Sequence, residues 1–252
     1  MSFLDPVLNP VFQPLFNVSP FWAIVVLALL ISLLMTLVYK FFTNQAEMKR
    51  LRDQQRESQD KMKTLRDKPD EMLKIQKEQM HANLEYMKKS FKPTLITMIP
   101  VFLLFGWMAT HLSYEPIFPG EEYTVTAFFL PTASGKAELI VDEGTTLLSE
   151  AVREVSSSVA WTMKSTAGEH NLAVKSGNVT QTKKVLVTTE LKYESPLSGY
   201  EDSSVSQIRI DYKKLKPLGS FSIFGWKPGW LGLYVIFSIV FSMALRKGLK
   251  LY

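Results

Sequence analysis

Residues 94–112 read TLITMIPVFLLFGWMATHL, a run with no Asp, Glu, Lys or Arg. Its length and composition match the ~20 apolar residues that carry a helix through a ~30 Å hydrocarbon core. Two further windows share the pattern: residues 21–39, FWAIVVLALLISLLMTLVY, and residues 229–245, GWLGLYVIFSIVFSMAL. Spans of 21–39, 93–112 and 229–245 are therefore expected. Overall the chain is 46% apolar and 21% charged, so the membrane signal lies in the distribution of residues rather than in the average. The stretch before the first window, MSFLDPVLNPVFQPLFNVSP, has no Lys or Arg and one acid, Asp5. A secretory signal needs a basic n-region, so the first span is expected to be retained. The prolines at 6, 10, 14 and 20 argue against a long helix, and residues 1–20 read as an external interfacial segment.

Working outward from residues 94–112, the two flanks differ in kind. Residues 40–92 hold 14 Lys/Arg against 9 Asp/Glu, residues 113–228 hold 12 against 14, and the tail 246–252 adds Arg246, Lys247 and Lys250. Short loops rich in Lys and Arg stay cytoplasmic. The expected topology is an outside N-terminus, a cytoplasmic 40–92 segment, an external 113–228 domain and a cytoplasmic 246–252 tail in a multi-pass protein of the cell (plasma) membrane. The overall charge of +5 flanks spans and contacts membrane lipids. It does not mark a specific nucleic-acid site. The absence of Cys excludes disulfides and thiolate metal ligands.

The 40–92 segment reads as an antiparallel coiled-coil hairpin. Met48, Leu51, Met62 and Leu65 fit one heptad register with polar Gln55 and Ser58 at its middle. After the break at DKPDE (67–71), Leu73, Met80 and Met87 repeat by sevens, as do Leu84 and Phe91. Pro69 suits the first turn of the second helix, and Asp70 and Glu71 suit its dipole. The arm methionines Met48, Met62, Met72, Met80 and Met87 fill a seam on one reading. On the other they form a flexible, polarizable surface that accepts varied apolar partners.

Residues 113–228 change to short strand-like runs, YTVTAFFL, KAELIVDE, SSVAWTMK, NLAVKS, KKVLVTTELKY and SVSQIRIDY, separated by turn residues. An all-β, sandwich-like domain inserted between the second and third spans is expected, with Trp161 at the position of a core aromatic.

No catalytic constellation stands out, and neither an enzyme activity, a cofactor nor a metal is expected. His81, His111 and His170 fall in three different segments, and no phosphate loop, HExxH or nucleophile elbow occurs. Asn178-Val179-Thr180 forms a glycosylation sequon. The informative polar residues lie inside the spans: Ser32 and Thr36, Thr94 and Thr97, Ser238 and Ser242. Each pair shares a helix face, and under the expected topology all three fall in the cytoplasmic half. The outer halves are apolar, with Trp22, Trp107 and Trp230 at the outer boundary. Such hydroxyls either pack and bond back to their own helices or line a hydrated vestibule open to the cytosol.

The order of these parts, with KKSFKP (88–93) introducing the second span, IPVFLLFGWM within it and GWLGLYVIFSIVFSMALRKGL as the last span, resembles the archaeal YidC-like membrane proteins of the insertase superfamily. The resemblance implies a cytosol-facing hydrophilic groove that passes transmembrane segments into the bilayer and a hairpin that captures them. Carried onto this chain, the groove residues are Ser32, Thr36, Thr97, Ser238 and Ser242, and the capture residues are the five arm methionines. Lys40, Lys92 and Arg246 stand at the groove mouth rather than within it, where many YidC proteins have an Arg. The implied partners are nascent membrane-protein segments, with the ribosome or the Sec translocon beside them. The rival reading is a cell-envelope receptor or anchor whose external domain binds a surface partner.

Overall fold

A computed structural model of the chain describes residues 4–64, 68–222, 224–249 and 251, the side chains of Asn17, Thr64, Pro69, Ser90, Lys92 and Pro93 not among them. Leu65 and Lys250, both named from the sequence, lie outside the described residues. The chain forms two compact units, Met1–Ala23 with Trp107–Trp230 and Ile24–Gly106 with Leu231–Tyr252.

The first unit is built on two antiparallel sheets. Its strands are β1 (Glu122–Phe129), β2 (Lys136–Ile140), β3 (Thr145–Leu147), β4 (Val152–Glu154), β5 (Ser158–Ser165), β6 (Gly168–Ser176), β7 (Val179–Val187), β8 (Leu197–Gly199) and β9 (Val205–Ile210). One sheet has the order β3-β5-β1-β9-β8 and the other β4-β2-β6-β7. Alternation places Val159, Trp161 and Met163 of β5 inward, and they share one core with Leu139, Leu172, Val174 and Val185 from the other sheet. Trp161 is fully buried and its indole N–H donates to the Ala151 carbonyl at 3.0 Å. The three-residue strands β3, β4 and β8 go beyond the runs expected from sequence, because three residues are too few to show a period of two.

A polar knot ties β6 to the β2–β3 connection. The His170 ring is buried, with Nδ1 2.9 Å from the Asp142 carboxylate and Nε2 2.8 Å from the Thr166 carbonyl. Asp142 also accepts from the Thr145 hydroxyl at 2.9 Å and the Asn171 amide at 3.1 Å. A Cβ on Gly144 would lie 2.5 Å from His170 Cε1, so the ring sits directly over a residue without a side chain.

The N-terminal segment departs from expectation: Asp5–Val18 forms a 14-residue helix, α1, despite Pro10 and Pro14 inside it. Pro6 stands in the first turn, where a missing N–H costs nothing, so two intrahelical bonds are forgone. Packing offsets that loss. Phe12 and Phe16 close on Trp107 with ring centroids 5.8 and 5.7 Å away, and the Trp107 indole donates to Asn9 at 3.2 Å. Trp107 is therefore fully buried instead of belonging to an exposed aromatic belt. Below it the Ser113 amide donates to the Tyr193 hydroxyl at 3.1 Å, and burial pushes the Tyr193 phenol up to about 12.

The second unit is helical. It contains α2 (Pro20–Phe42) from Ile24 onward, α3 (Gln45–Thr64), α4 (Pro69–Leu112) as far as Gly106, and α5 (Trp230–Gly248) from Leu231. Three stretches are long and apolar enough to cross a membrane: Pro20–Phe42, Thr94–Leu112 and Trp230–Gly248. The arm helix and the second span, assigned to separate segments from the sequence, are one uninterrupted 44-residue helix. Along α3 Met48 and Leu51 are buried, and Gln45, Glu47, Gln55, Ser58 and Met62 are half-buried. Along the arm part of α4 the half-buried residues are Met72, Ile75, Gln79, Ala82, Glu85, Tyr86 and Lys89, and Lys89 reaches Glu47 at 2.6 Å. The heptad expected for this helix is thus corrected: Leu73, Met80, Leu84, Met87 and Phe91 are all more than half exposed. Apart from Glu85, the half-buried set also repeats by sevens, and it is the less apolar of the two.

Candidate functional site: a hydroxyl-lined cleft among three apolar helices

The buried face of α2 changes chemistry along its length. Ile24, Leu27, Ala28 and Ile31 lie at helical spacing and are buried, and the same face continues as Ser32 and Thr36, 4% and 3% exposed. Thr97 of α4 is buried as well, while Ser238 and Ser242 of α5 are half-buried. These five residues, put in one half of the membrane by the topology expected from the sequence, line a single cleft of about 640 Å³. Thr94 joins them, and Met35, Val101, Ile239 and Met243 supply its apolar walls. Phe105 and Tyr234 meet edge-to-face at 4.8 Å on the side of the apolar half.

The hydroxyl protons are spent locally. Thr36 donates to the Ser32 carbonyl at 2.6 Å, Thr97 to the Thr94 carbonyl at 3.0 Å and Ser238 to the Val235 carbonyl at 3.0 Å. One bond crosses helices, from the Ser32 hydroxyl to the Ser238 carbonyl at 3.4 Å. A hydroxyl that donates backward keeps acceptor capacity on its oxygen, so the lining can accept from water or from a polypeptide N–H.

The far end carries charge. Arg246 lines the cleft, and its guanidinium carbon stands 5.1 Å from the centroid of the Tyr39 ring. Tyr39 shares a hydrogen bond with Tyr86 of the arm and lies within electrostatic reach of Arg52. Of the cations assigned to the mouth from the sequence, Lys40 is exposed and outside the cleft lining, and the Lys92 side chain lies outside the described residues. Tyr39 and the inward reach of Arg246 were not anticipated. Tyr39 stands three residues after Thr36 and seven after Ser32, so its place on that face was available from spacing.

The arm methionines are divided. Met48 is 1% exposed and unavailable to a ligand, Met62 and Met72 are half-buried, and Met80 and Met87 are exposed. Asn178 is exposed in the tight turn between β6 and β7, beside Gly177 at φ +59°. Among the described residues no three His, Asp or Glu side chains gather as a metal site.

The chain thus combines three helices long and apolar enough to cross a membrane, a cleft of mostly apolar wall that carries a few hydroxyls, and a β unit of two antiparallel sheets. Residues 5–184 match the family model described as Integral membrane protein EMC3/TMCO1-like. The chain belongs to that family, part of the insertase-related group of membrane proteins and associated with membrane protein insertion. No curated protein and no solved structure matches the chain.

Proposed function

We propose that the protein is a membrane insertase of the archaeal YidC-like kind, in which the cleft receives the polar end of a client segment while its apolar helix passes into lipid. One observation supports the reading: Ser32, Thr36, Thr97, Ser238 and Ser242 line one cleft of the helical unit, and beyond Ser32 the same face of α2 continues as the buried Ile24, Leu27 and Ile31. A polar group entering hydrocarbon without a partner costs several kcal/mol. A wetted, acceptor-lined cleft reaching part-way through the bilayer removes much of that cost. Arg246 adds a cation at the mouth, so an acidic translocated end has an attracting group there.

In this reading the basic arm and tail face the cytosol and the β unit faces the exterior, in keeping with the positive charge of residues 40–92 and 246–252. Residues 40–92 act as a loose antiparallel hairpin, and Met80 and Met87 give it a pliant capture surface. The protein works without covalent chemistry or a cofactor, on nascent membrane-protein segments delivered by the ribosome or the Sec translocon.

A photo-crosslinker at Ser238, in the cleft, is compared with one at Val240, which is 55% exposed on another face of the same helix turn. Ribosome-bound chains carrying a transmembrane segment crosslink from Ser238 and much less from Val240. Equal capture at the two positions returns the hydroxyls to ordinary helix packing.

A further inference from the structure

Between β9 and α5 the chain makes a closed loop. Its first end is tied to the residues that follow α4: the Glu115 amide donates to the Lys213 carbonyl at 2.9 Å and the Leu215 amide to the Ser113 carbonyl at 3.1 Å. Its second end runs into Trp230, the first residue of α5. The ends approach each other, since a Cβ on Gly229 would lie 4.0 Å from the Leu215 carbonyl oxygen. Leu215 and Pro228 are buried at the base. Leu112 ends one membrane-length stretch and Trp230 begins another, so both ends of the loop are held where such a stretch stops.

The loop carries large rings and no acid. Phe221, Phe224 and Trp226 are exposed by 65, 106 and 53%. Phe224 stands at φ +51°, between Gly219 at +59° and the adjoining Gly225 at +82°. A residue with a Cβ is strained in that region, and such strain persists where the surroundings hold it. For a fully exposed ring those surroundings lie outside the protein. No Asp or Glu occurs from Tyr212 to Trp230, whereas Lys214, Lys216 and Lys227 are present and exposed.

Chain reach and chemistry together select what covers these rings. Trp226 is four residues before Trp230, at most ~14 Å of extended chain, so it stays close to the headgroup layer, which is ~5–8 Å deep on each side of the hydrocarbon. Trp and other aromatic rings concentrate at that level. Lysines beside them lay their stems along apolar surface and carry the ammonium to the phosphates. Water in place of lipid would leave three large rings of one loop uncovered, a patch that a surface in water rarely shows.

We infer that residues 216–229 form a lipid-inserting loop. Phe221, Phe224 and Trp226 enter the leaflet that the loop borders, and Lys214, Lys216 and Lys227 meet lipid phosphates. The surface is separate from the cleft. Its occupation depends neither on the insertion reading nor on which side of the membrane the β unit faces.

Because the chain has no Cys, a single fluorophore can be placed in the loop at Ser220→Cys, an exposed position. The comparison is Ser157→Cys, also exposed, at the Phe129 end of β1, where the Ser157 carbonyl accepts from the Phe129 amide at 3.1 Å. The full-length protein is placed in liposomes of phosphatidylcholine and phosphatidylglycerol. Lipids with a nitroxide near the glycerol quench the Ser220→Cys label and iodide spares it, whereas the Ser157→Cys label shows the reverse. Burial of one Phe or Trp side chain shifts the ratio of inserted to withdrawn loop about tenfold or more. Phe224→Ser alone therefore keeps most of the lipid quenching. Phe221→Ser, Phe224→Ser and Trp226→Ser together, all at exposed residues outside the core, abolish it and open the Ser220→Cys label to iodide. Iodide quenching equal at the two positions overturns the assignment, and so does protection of the loop label from both quenchers, which means that protein covers it. Undiminished lipid quenching in the triple variant overturns it as well.

Discussion

Replacing Thr36 and Thr97 with Val and Ser238 with Ala dries the cleft with little disturbance to the helices that form it. The hydrogen bonds these hydroxyls donate run to carbonyls on their own helices, and the bond between helices uses the Ser32 hydroxyl and the Ser238 main-chain carbonyl, both of which survive. Hydroxyl contacts in membrane helices are worth about 0.6 kcal/mol each, so the folding cost sums to roughly 1–2 kcal/mol, a drop in midpoint of a few degrees. The effect on transit is larger. Each lost acceptor removes about 0.5–1.5 kcal/mol of net hydrogen bonding to water or client. Three of them raise the barrier enough to slow insertion about 10- to 1,000-fold at a factor of ten per 1.36 kcal/mol. The assay is protease protection of a single-span client with a short polar translocated end, added to liposomes holding the wild-type or triple-variant protein, with thermal midpoints measured in parallel. Insertion within about twofold of wild type by a folded triple variant would refute the role given to the cleft.

Two further outcomes are expected. Burial pulls the Asp142 carboxyl upward, but hydrogen bonds from His170, Thr145 and the Asn171 amide outweigh it and hold the group below the usual carboxylate range. The folded value is therefore lower than the ~3.9 of the unfolded chain: the stabilisation is complete above about pH 4 and is lost as pH falls through the folded value. Asp142→Asn is less stable at pH 7 by about 1–2 kcal/mol and loses less stability between pH 5 and 2; tryptophan fluorescence melts follow both, and an acid-side slope equal to wild type would contradict the assignment. Because the chain has no Cys, single cysteines report topology cleanly. In intact cells an impermeant maleimide labels Ser157→Cys in the β unit and spares Gln59→Cys in the arm, and the reverse pattern would invert the proposed orientation.

What could be read from the sequence was whatever depends on a residue's near neighbours along the chain. The apolar windows at 21–39, 94–112 and 229–245 were legible because crossing hydrocarbon demands local length and local lack of charge. The burial of Met48 and Leu51 was legible because they are the only large apolar residues of α3 before Met62. The polar pairs of the three spans were legible because a shared face needs only spacing. Tertiary structure decided what depends on competition between partners. On α4 two apolar sets repeat by sevens, and the more apolar one turned outward, since periodicity names the faces of a helix without saying which meets a neighbour. The prolines of α1 were outweighed by burial of Phe12 and Phe16 on Trp107, nearly a hundred residues away in the chain. The edge strands β3, β4 and β8 exist through pairing with β5, β2 and β9 and have no pattern of their own. That Ser32, Thr97 and Ser238 share a cleft with Arg246 at its mouth follows from how three helices rotate about their own axes, and that rotation is set by the side chains between them, a long-range quantity that no window of sequence contains.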